Sequence, residues 1–317
     1  MLPNVPSRGE APTMAIERGL SRLATVDEAV IRAGQACRDR ARRRASMALG
    51  SCRTSFTGGV SIMAIERGKV TALHGNRRED VEARIDLACA HRAAAKLGFH
   101  EGICNHMTLM LAGRRDRFLI GAKGMHWQDA TASKLLVMDD HGKVVEGEGD
   151  VSITGYCIHT RIHLHHPNAA VVLHTHMPYA TALTAIQGGR LEMMHQNATR
   201  FFERVAYDED FNGFAFGTEE GDRMASIMGD RTVLFLGNHG VVVVGPTVAD
   251  ALDDLYYLER ACQVQVLAMS TGRPLRIIPD ELSRATRDSY SNRHYNAMLL
   301  LQAFKDEFDR TQPEYAS

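Results

Sequence analysis

From Glu79 onward the chain alternates between helical and extended hydrophobic patterns. The stretch EDVEARIDLACAHRAAAKLG puts Val81, Ile85, Ala88, Cys89, Ala93 and Leu97 on one face of a helix, and Gly98 follows where a C-cap glycine belongs. NHMTLML and DRFLIG read as strands joined around Gly113, TASKLLVMD as a short helix running into a strand, and DHGKVVEGEG as a hairpin. YCIHTRIHLHHP is a helix stopped by Pro167, and AAVVLHTH is a buried strand. RTVLFLGNHGVVVVG gives two strands around a glycine-bracketed break. A long helix follows, TVADALDDLYYLERACQVQVLAM. Thr247 and Asp250 form its capping pair, and Leu252, Leu255, Cys262, Val266 and Met269 its buried face. Near the C-terminus RATRDSYSNRHYNAMLLLQAFKDEFDR reads as a helix with Tyr295, Leu299 and Phe304 available for packing. Several strands follow one another directly, so the expected class is α/β, a mixed and largely antiparallel sheet covered by helices on both faces.

The pattern before residue 69 is different. MAIERG occurs at Met14–Gly19 and again at Met63–Gly68, without the longer period of a solenoid. Met63 is therefore read as an alternative start, and residues 1–68 as an N-terminal extension, disordered or mis-assigned, beside a folded domain over 69–317. The Arg38 to Arg44 run reads as a solvated helix face, with a basic nucleic-acid arm as the sharper alternative.

Composition changes this picture little. Hydrophobic residues make up 44%, charged residues 24%, and the net charge is −1, so no nucleic-acid or membrane-surface partner is expected. The six cysteines are scattered without a CxxC pair, which suits a reducing cytoplasm. No apolar run approaches membrane-spanning length. A soluble, cytoplasmic protein with a small-molecule partner is expected.

The fifteen histidines carry more. In VVLHTHMPYATAL, His174 and His176 stand at i and i+2 on a strand, so both imidazoles project to one face with Thr175 turned away. A bare HxH also fits two hydrogen-bonded core histidines. GNHG supplies a third, His239, between two apolar strands and beside glycines that let backbone approach closely. Three nitrogen ligands leave coordination positions open, the arrangement of a catalytic rather than a structural metal. A second group, His159, His163 and His166, follows i, i+4, i+7 spacing on a helix that ends at proline, and is expected to face solvent.

VVLHTHMPYATAL, GNHGVVVVG and the helix after them resemble the class II aldolase/adducin family. The likeness extends over roughly residues 79–275, through EGICNHMTLML, FLIGAKGMHWQDATASKLLVMDDHGKVVEG and IHLHHPNAAVVLHTHMPYATAL. It implies a three-layer α/β/α fold with a nine-stranded, mostly antiparallel sheet, and a homotetramer with active sites at subunit interfaces. It also implies a divalent metal on His174, His176 and His239, zinc foremost, with manganese, cobalt or iron as alternatives.

The departures from the family pattern bear on function. The Ser-Ser-Glu segment of the aldolases, whose glutamate is the acid/base beside the metal, falls on VSITG, so Ser152 remains and Gly155 stands at the glutamate position. The phosphate-gripping turn becomes CNHMT, which keeps Asn105, and its companion loop becomes IGAKG. A phosphosugar is therefore disfavoured. GMHWQDATASKLLVM is closer to the adducin branch, while retention of all three histidines without the glutamate resembles metal-dependent decarboxylases of small hydroxylated acids. Aldol cleavage needs a base for a hydroxyl proton, whereas decarboxylation needs only a later proton donor. The expected function is therefore a metal-dependent carbon–carbon lyase on a small, non-phosphorylated hydroxy or keto acid, aromatic ones included. Decarboxylation comes first and retro-aldol cleavage second, and a non-catalytic adducin-like binding or scaffold protein is the alternative.

His195, Tyr179 and Tyr156 are the candidate proton donors, though His195 and Tyr179 each also fit a structural role. Asn105, Lys123 and Ser152 are the candidate substrate-binding residues. His126 could join Lys123 on a substrate carboxylate, Trp127 could floor an aromatic ring, and Glu148 or Asp150 could stand in for the lost carboxylate by a register slip.

Overall fold

A computed structural model describes residues 78–317. The repeated hexapeptide, the Arg38 to Arg44 run and the extension expected over 1–68 lie outside the described residues.

The described residues open with α1 (Arg78–Lys96), then the hairpin β1 (His106–Met110) and β2 (Arg117–Gly121). Two 3-10 turns lead into the second hairpin, β3 (Leu135–Asp139) and β4 (Val144–Glu146). The middle of the chain is α2 (Ile153–His165), β5 (Val171–Thr175) and α3 (Pro178–Thr184). β6 (Val205–Asp208), α4 (Thr218–Met228), β7 (Val233–Leu236) and β8 (Gly240–Gly245) follow. Three helices close the fold, α5 (Val248–Met269), α6 (Asp280–Asp288) and α7 (Arg293–Thr311).

The strands form one sheet in the order β4-β3-β2-β1-β5-β8-β7-β6. Neighbours run antiparallel except β6 and β7, which are parallel. The sheet is mixed and mostly antiparallel, as expected, with eight strands among the described residues where the resemblance implied nine. Unbroken apolar strands such as GVVVVG mean burial on both faces. Val171 and Leu173 on β5, with Val241 and Val243 on β8, join the larger core with residues of α1, α3, α5 and α7. Val172, Val242 and Val244 point the other way and pack with residues of α2 and α4. The result is three layers, with β5 in the middle of the sheet.

Local signals place most of these elements. Thr247 accepts a hydrogen bond from the Asp250 backbone N–H at 3.2 Å and donates to Asp250 Oδ2 at 2.6 Å, which fixes the start of α5. Gly98 has φ +74° just past α1. Three expectations need correction. Met269 is 38% exposed because the last turn of α5 runs beyond the core. The C-terminal segment is two helices rather than one. On α7 the residues turned inward are Ala297, Leu301 and Phe308, whereas Tyr295 and Leu299 are exposed; Phe304 does pack against the core.

The element least visible in the sequence is α4. Gly221 lies inside it, which lowers its helical propensity. The structure gives the reason for that glycine: a Cβ there would stand 2.1 Å from the Cys157 carbonyl oxygen and 2.8 Å from Arg161 Cγ. Helices α2 and α4 therefore meet backbone to backbone. Among the described residues no helix is long and apolar enough to cross a membrane. Gly221→Ala is expected to lower stability by about 1–3 kcal/mol, the usual cost of overpacking, read as a lower urea midpoint with an unchanged m-value.

Candidate metal centre

On β5 the side-chain alternation that turns Val172 toward α2 also turns His174 there, and His176, just past the strand, keeps the same parity. His239 arrives from the β7–β8 connection, because β8 is hydrogen-bonded alongside β5. The three ring centroids form a near-equilateral triangle with sides of 5.0, 4.8 and 4.9 Å. One ligand atom from each residue lies within 4.8 Å of the other two. Glycine makes this approach possible: a Cβ at Gly240 would stand 2.5 Å from the Thr175 carbonyl oxygen and 2.7 Å from His176 Cδ2.

The hydrogen bonds select the tautomers. His174 Nδ1 lies 3.0 Å from the Val241 carbonyl oxygen, which can only accept, so Nδ1 carries the proton and Nε2 keeps its lone pair. His176 Nδ1 lies 2.5 Å from Glu101 Oε2, leaving His176 Nε2 buried with no hydrogen-bond partner among the described residues. A carboxylate or carbonyl behind the ring, as found for His174 and His176, is the usual orienting partner of a metal-bound histidine. Burial, then the neighbouring histidines, hold the His174 imidazole far below the usual range; the same effects bring His239 down to about 4. Both rings are therefore neutral near pH 7, the form that binds a cation. The donor set fits a divalent metal.

A cavity of about 570 Å³ opens onto the three histidines. The expected substrate-binding residues Asn105, Lys123 and Ser152 all line it. Asn105 sits at φ +76°, its Oδ1 accepts from the His176 backbone N–H at 3.4 Å, and its buried Nδ2 has no partner among the described residues. Lys123 is exposed at the rim. Trp127 is buried in the cavity wall, edge-on to His91 at 5.4 Å.

Other candidates are placed elsewhere. His195 is half-buried ahead of a 3-10 turn and does not line this cavity. Tyr179 packs its ring against the larger core, and its backbone N–H donates to Glu259. His126 accepts a hydrogen bond from the Gln128 backbone N–H and caps a turn. Glu148 and Asp150 are exposed and outside the cavity lining. The group expected to face solvent does the opposite: His159, His163 and His166 are buried and hydrogen-bonded inside the protein.

Two residues of the site were missed in the sequence. Glu101, behind His176, is the one carboxylate that lines the cavity among the described residues. His106 lies opposite His174 in the β1–β5 register, and its Nε2 lies 3.0 Å from Ser152 Oγ. Ser152, at the start of α2, makes no side-chain capping bond and directs its hydroxyl to this ring instead. Strand parity would have put His106 and Thr108 on one face of β1, but not beside His174.

Residues 85–266 match the model of the class II aldolase and adducin N-terminal domain. The chain belongs to the class II aldolase and adducin family. Its similarity to family members runs in several directions. A decarboxylase of Streptomyces niveus, NovR, is 32% identical over 201 residues, 63% of this chain and 74% of that protein. Human beta-adducin is 32% identical over 195 residues, covering 60% of this chain but only 26% of the adducin. The crystal structure of an aldolase II superfamily protein from Pseudomonas syringae superposes with a TM-score of 0.70 at 30% identity, covering 76% of this chain and 97% of that one.

Two predictions follow from these bonds. Glu101→Ala removes the carboxylate behind His176 and is expected to weaken zinc binding about 10- to 100-fold, measured by competition with a chromophoric chelator. Glu259 is 2% exposed and accepts from the Tyr179 and Ala180 backbone N–H groups, both at 2.9 Å, at the start of α3. Burial pushes its carboxyl from 4.5 up to about 7 despite those donors. The folded chain thus holds this proton more tightly than the unfolded chain, so this contribution is full below about pH 4.5 and is lost as pH rises toward 7. Glu259→Gln is expected to flatten the dependence of the unfolding midpoint on pH between 5 and 8, about the window of that loss.

Proposed function

We propose that this family member is a cytoplasmic, metal-dependent carbon–carbon lyase acting on a small, non-phosphorylated hydroxy or keto acid, with decarboxylation as its reaction. The observation that carries this reading is a tri-histidine centre with Gly155, where the resemblance places the aldolase glutamate, packed next to the His106 ring. His174, His176 and His239 would hold the ion, zinc foremost. A divalent cation there supplies Lewis-acid charge for the electron pair released when a carbon–carbon bond breaks.

The protein's own groups handle the remaining tasks. The unpartnered Asn105 Nδ2 donates to a substrate oxygen, and Lys123 offers a positive charge at the rim to a substrate carboxylate. The cavity's one carboxylate, Glu101, is engaged by His176, so no free carboxylate base faces the substrate's hydroxyl among the described residues. Loss of carbon dioxide needs no such base, but it does need a proton returned to the carbon left behind. His195 and Tyr179 remain the proposed donors. Since neither lines the cavity of its own chain, each would act from a neighbouring subunit of a homotetramer with its sites at the interfaces. The 32% identity to the Streptomyces niveus decarboxylase supports this choice of reaction.

The similarity to beta-adducin favours a second reading, a binding or scaffold protein that keeps the centre without turnover. Metal analysis and turnover separate the two. Purified protein is expected to carry close to one zinc per chain, and His174→Ala with His176→Ala to carry none. Carbon dioxide release across hydroxybenzoates, pyridine dicarboxylates and keto acids is expected to stop on chelation and return with zinc. Equal metal content in wild type and variant would overturn the lyase reading. Bound metal with no turnover across the panel would favour the scaffold.

A further inference from the structure

His106 stacks on His174 with ring centroids 6.0 Å apart, and the His159 ring meets it edge-on at 5.5 Å. Its Nε2 lies 3.0 Å from Ser152 Oγ and 3.3 Å from Thr154 Oγ1, so the first turn of α2 grips the imidazole. One residue further on, a Cβ at Gly155 would stand 2.9 Å from His106 Cδ2 and 3.0 Å from its Cγ. Gly155 is not at positive φ, so backbone conformation does not call for glycine there. What calls for it is the ring. Packed between two other imidazoles and held by two hydroxyls, the ring has little room to move aside.

We propose that His106 is the specificity-determining residue of this cavity: it bars every side chain, a carboxylate above all, from position 155. With the Ser152 hydroxyl and the Asn105 amide it puts a hydrogen-bonding wall in that place. The substrate class this wall admits is an acid that loses carbon dioxide without surrendering a hydroxyl proton, a statement that rests on the lyase reading above. A glutamate at 155 would accept the hydroxyl proton of a β-hydroxy acid as the adjoining carbon–carbon bond breaks. An aldehyde would then leave, and the electron pair on the other carbon would be protonated afterwards.

A double-mutant cycle between positions 106 and 155 tests this in the zinc-loaded full-length protein. Gly155→Ala is expected to lower the Tm by about 3–10 °C when His106 is present, the shift that overpacking produces in a chain of this size. The same loss is expected beside His106→Phe, which keeps a ring of similar volume without nitrogens, and should disappear beside His106→Ala. A Gly155→Ala loss of equal size in all three backgrounds, or no loss in any, would overturn the steric assignment. Gly155→Glu is expected to fold only together with His106→Ala, and that double variant to release aldehyde from β-hydroxy acids that the wild type does not cleave. A double variant that folds, retains zinc and releases no aldehyde would overturn the specificity assignment. Unfolding is read without substrate, so a wild type that releases no carbon dioxide leaves the cycle intact and counts against the lyase reading alone.

Discussion

The antiparallel pairing of β5 with β1 on one side and β8 on the other is the constraint on which the site depends. It sets His174 opposite His106 and Val242 in the middle of a sheet covered on both faces. All five residues of β5 are buried. A charged imidazole is costly there, and a neutral one needs a partner for its N–H. The Val241 carbonyl supplies that partner, and in doing so leaves the other nitrogen aimed away from the backbone. Sheet geometry thereby selects the tautomer as well as the position. His239 is brought in by the same pairing, since β8 cannot lie against β5 without carrying the β7–β8 turn to the end of the strand.

Behind this centre the α2 layer is unusually polar for a core, and its hydrogen bonds can be followed atom by atom. His163 Nδ1 lies 2.6 Å from the Ala169 carbonyl oxygen and must donate to it, so His163 Nε2 accepts. Thr108, 2.7 Å away, therefore donates its one hydroxyl proton to His163. His159 Nδ1, 2.8 Å from the same oxygen, must then be the donor to Thr108. The chain fixes His159 with its lone pair on Nε2, buried beside the His106 ring. Burial holds the His159 imidazole far below the usual range and brings His163 to about 4, which agrees with neutral rings throughout. The helix therefore serves the centre indirectly, as the rigid and neutral support of the histidine that faces His174.

How far the sequence revealed all this follows from the range of each interaction. The shared direction of His174 and His176 is a property of three consecutive residues, and the need for glycine beside His239 is nearly as local; both were readable. The i, i+4, i+7 spacing of His159, His163 and His166 shows that they share a face, but whether that face turns inward depends on the sheet, and there the expectation of solvent exposure fails. His106 and Glu101 join the site through pairing with segments some seventy residues away, to which no periodicity refers. Helix α4 was hidden by Gly221, a residue present for its neighbour in α2 rather than for its own backbone. The phase of α7 is set by docking rather than by its own pattern.

The exchange of a carboxylate for an imidazole also alters the charge a guest would meet. Imidazole ligands bring no negative charge to cancel that of a divalent cation, and His106, Ser152 and Asn105 add hydrogen-bonding groups with no carboxylate among them. Burial above all, with His176 and His239 close by, holds the His106 imidazole down to about 4, so it is neutral near pH 7. A glutamate at position 155 would have offset part of the cation's charge and competed with an anionic guest. With glycine there, the one carboxylate that lines the cavity among the described residues is Glu101, drawn to His176 on the outer side of the ring. With a divalent cation on the three histidines, a small acid carrying a carboxylate and an adjacent oxygen would meet a positive centre, with Lys123 at the entrance. On the proposed reading, the residue that closes off position 155 would thus also leave the centre suited to an acid.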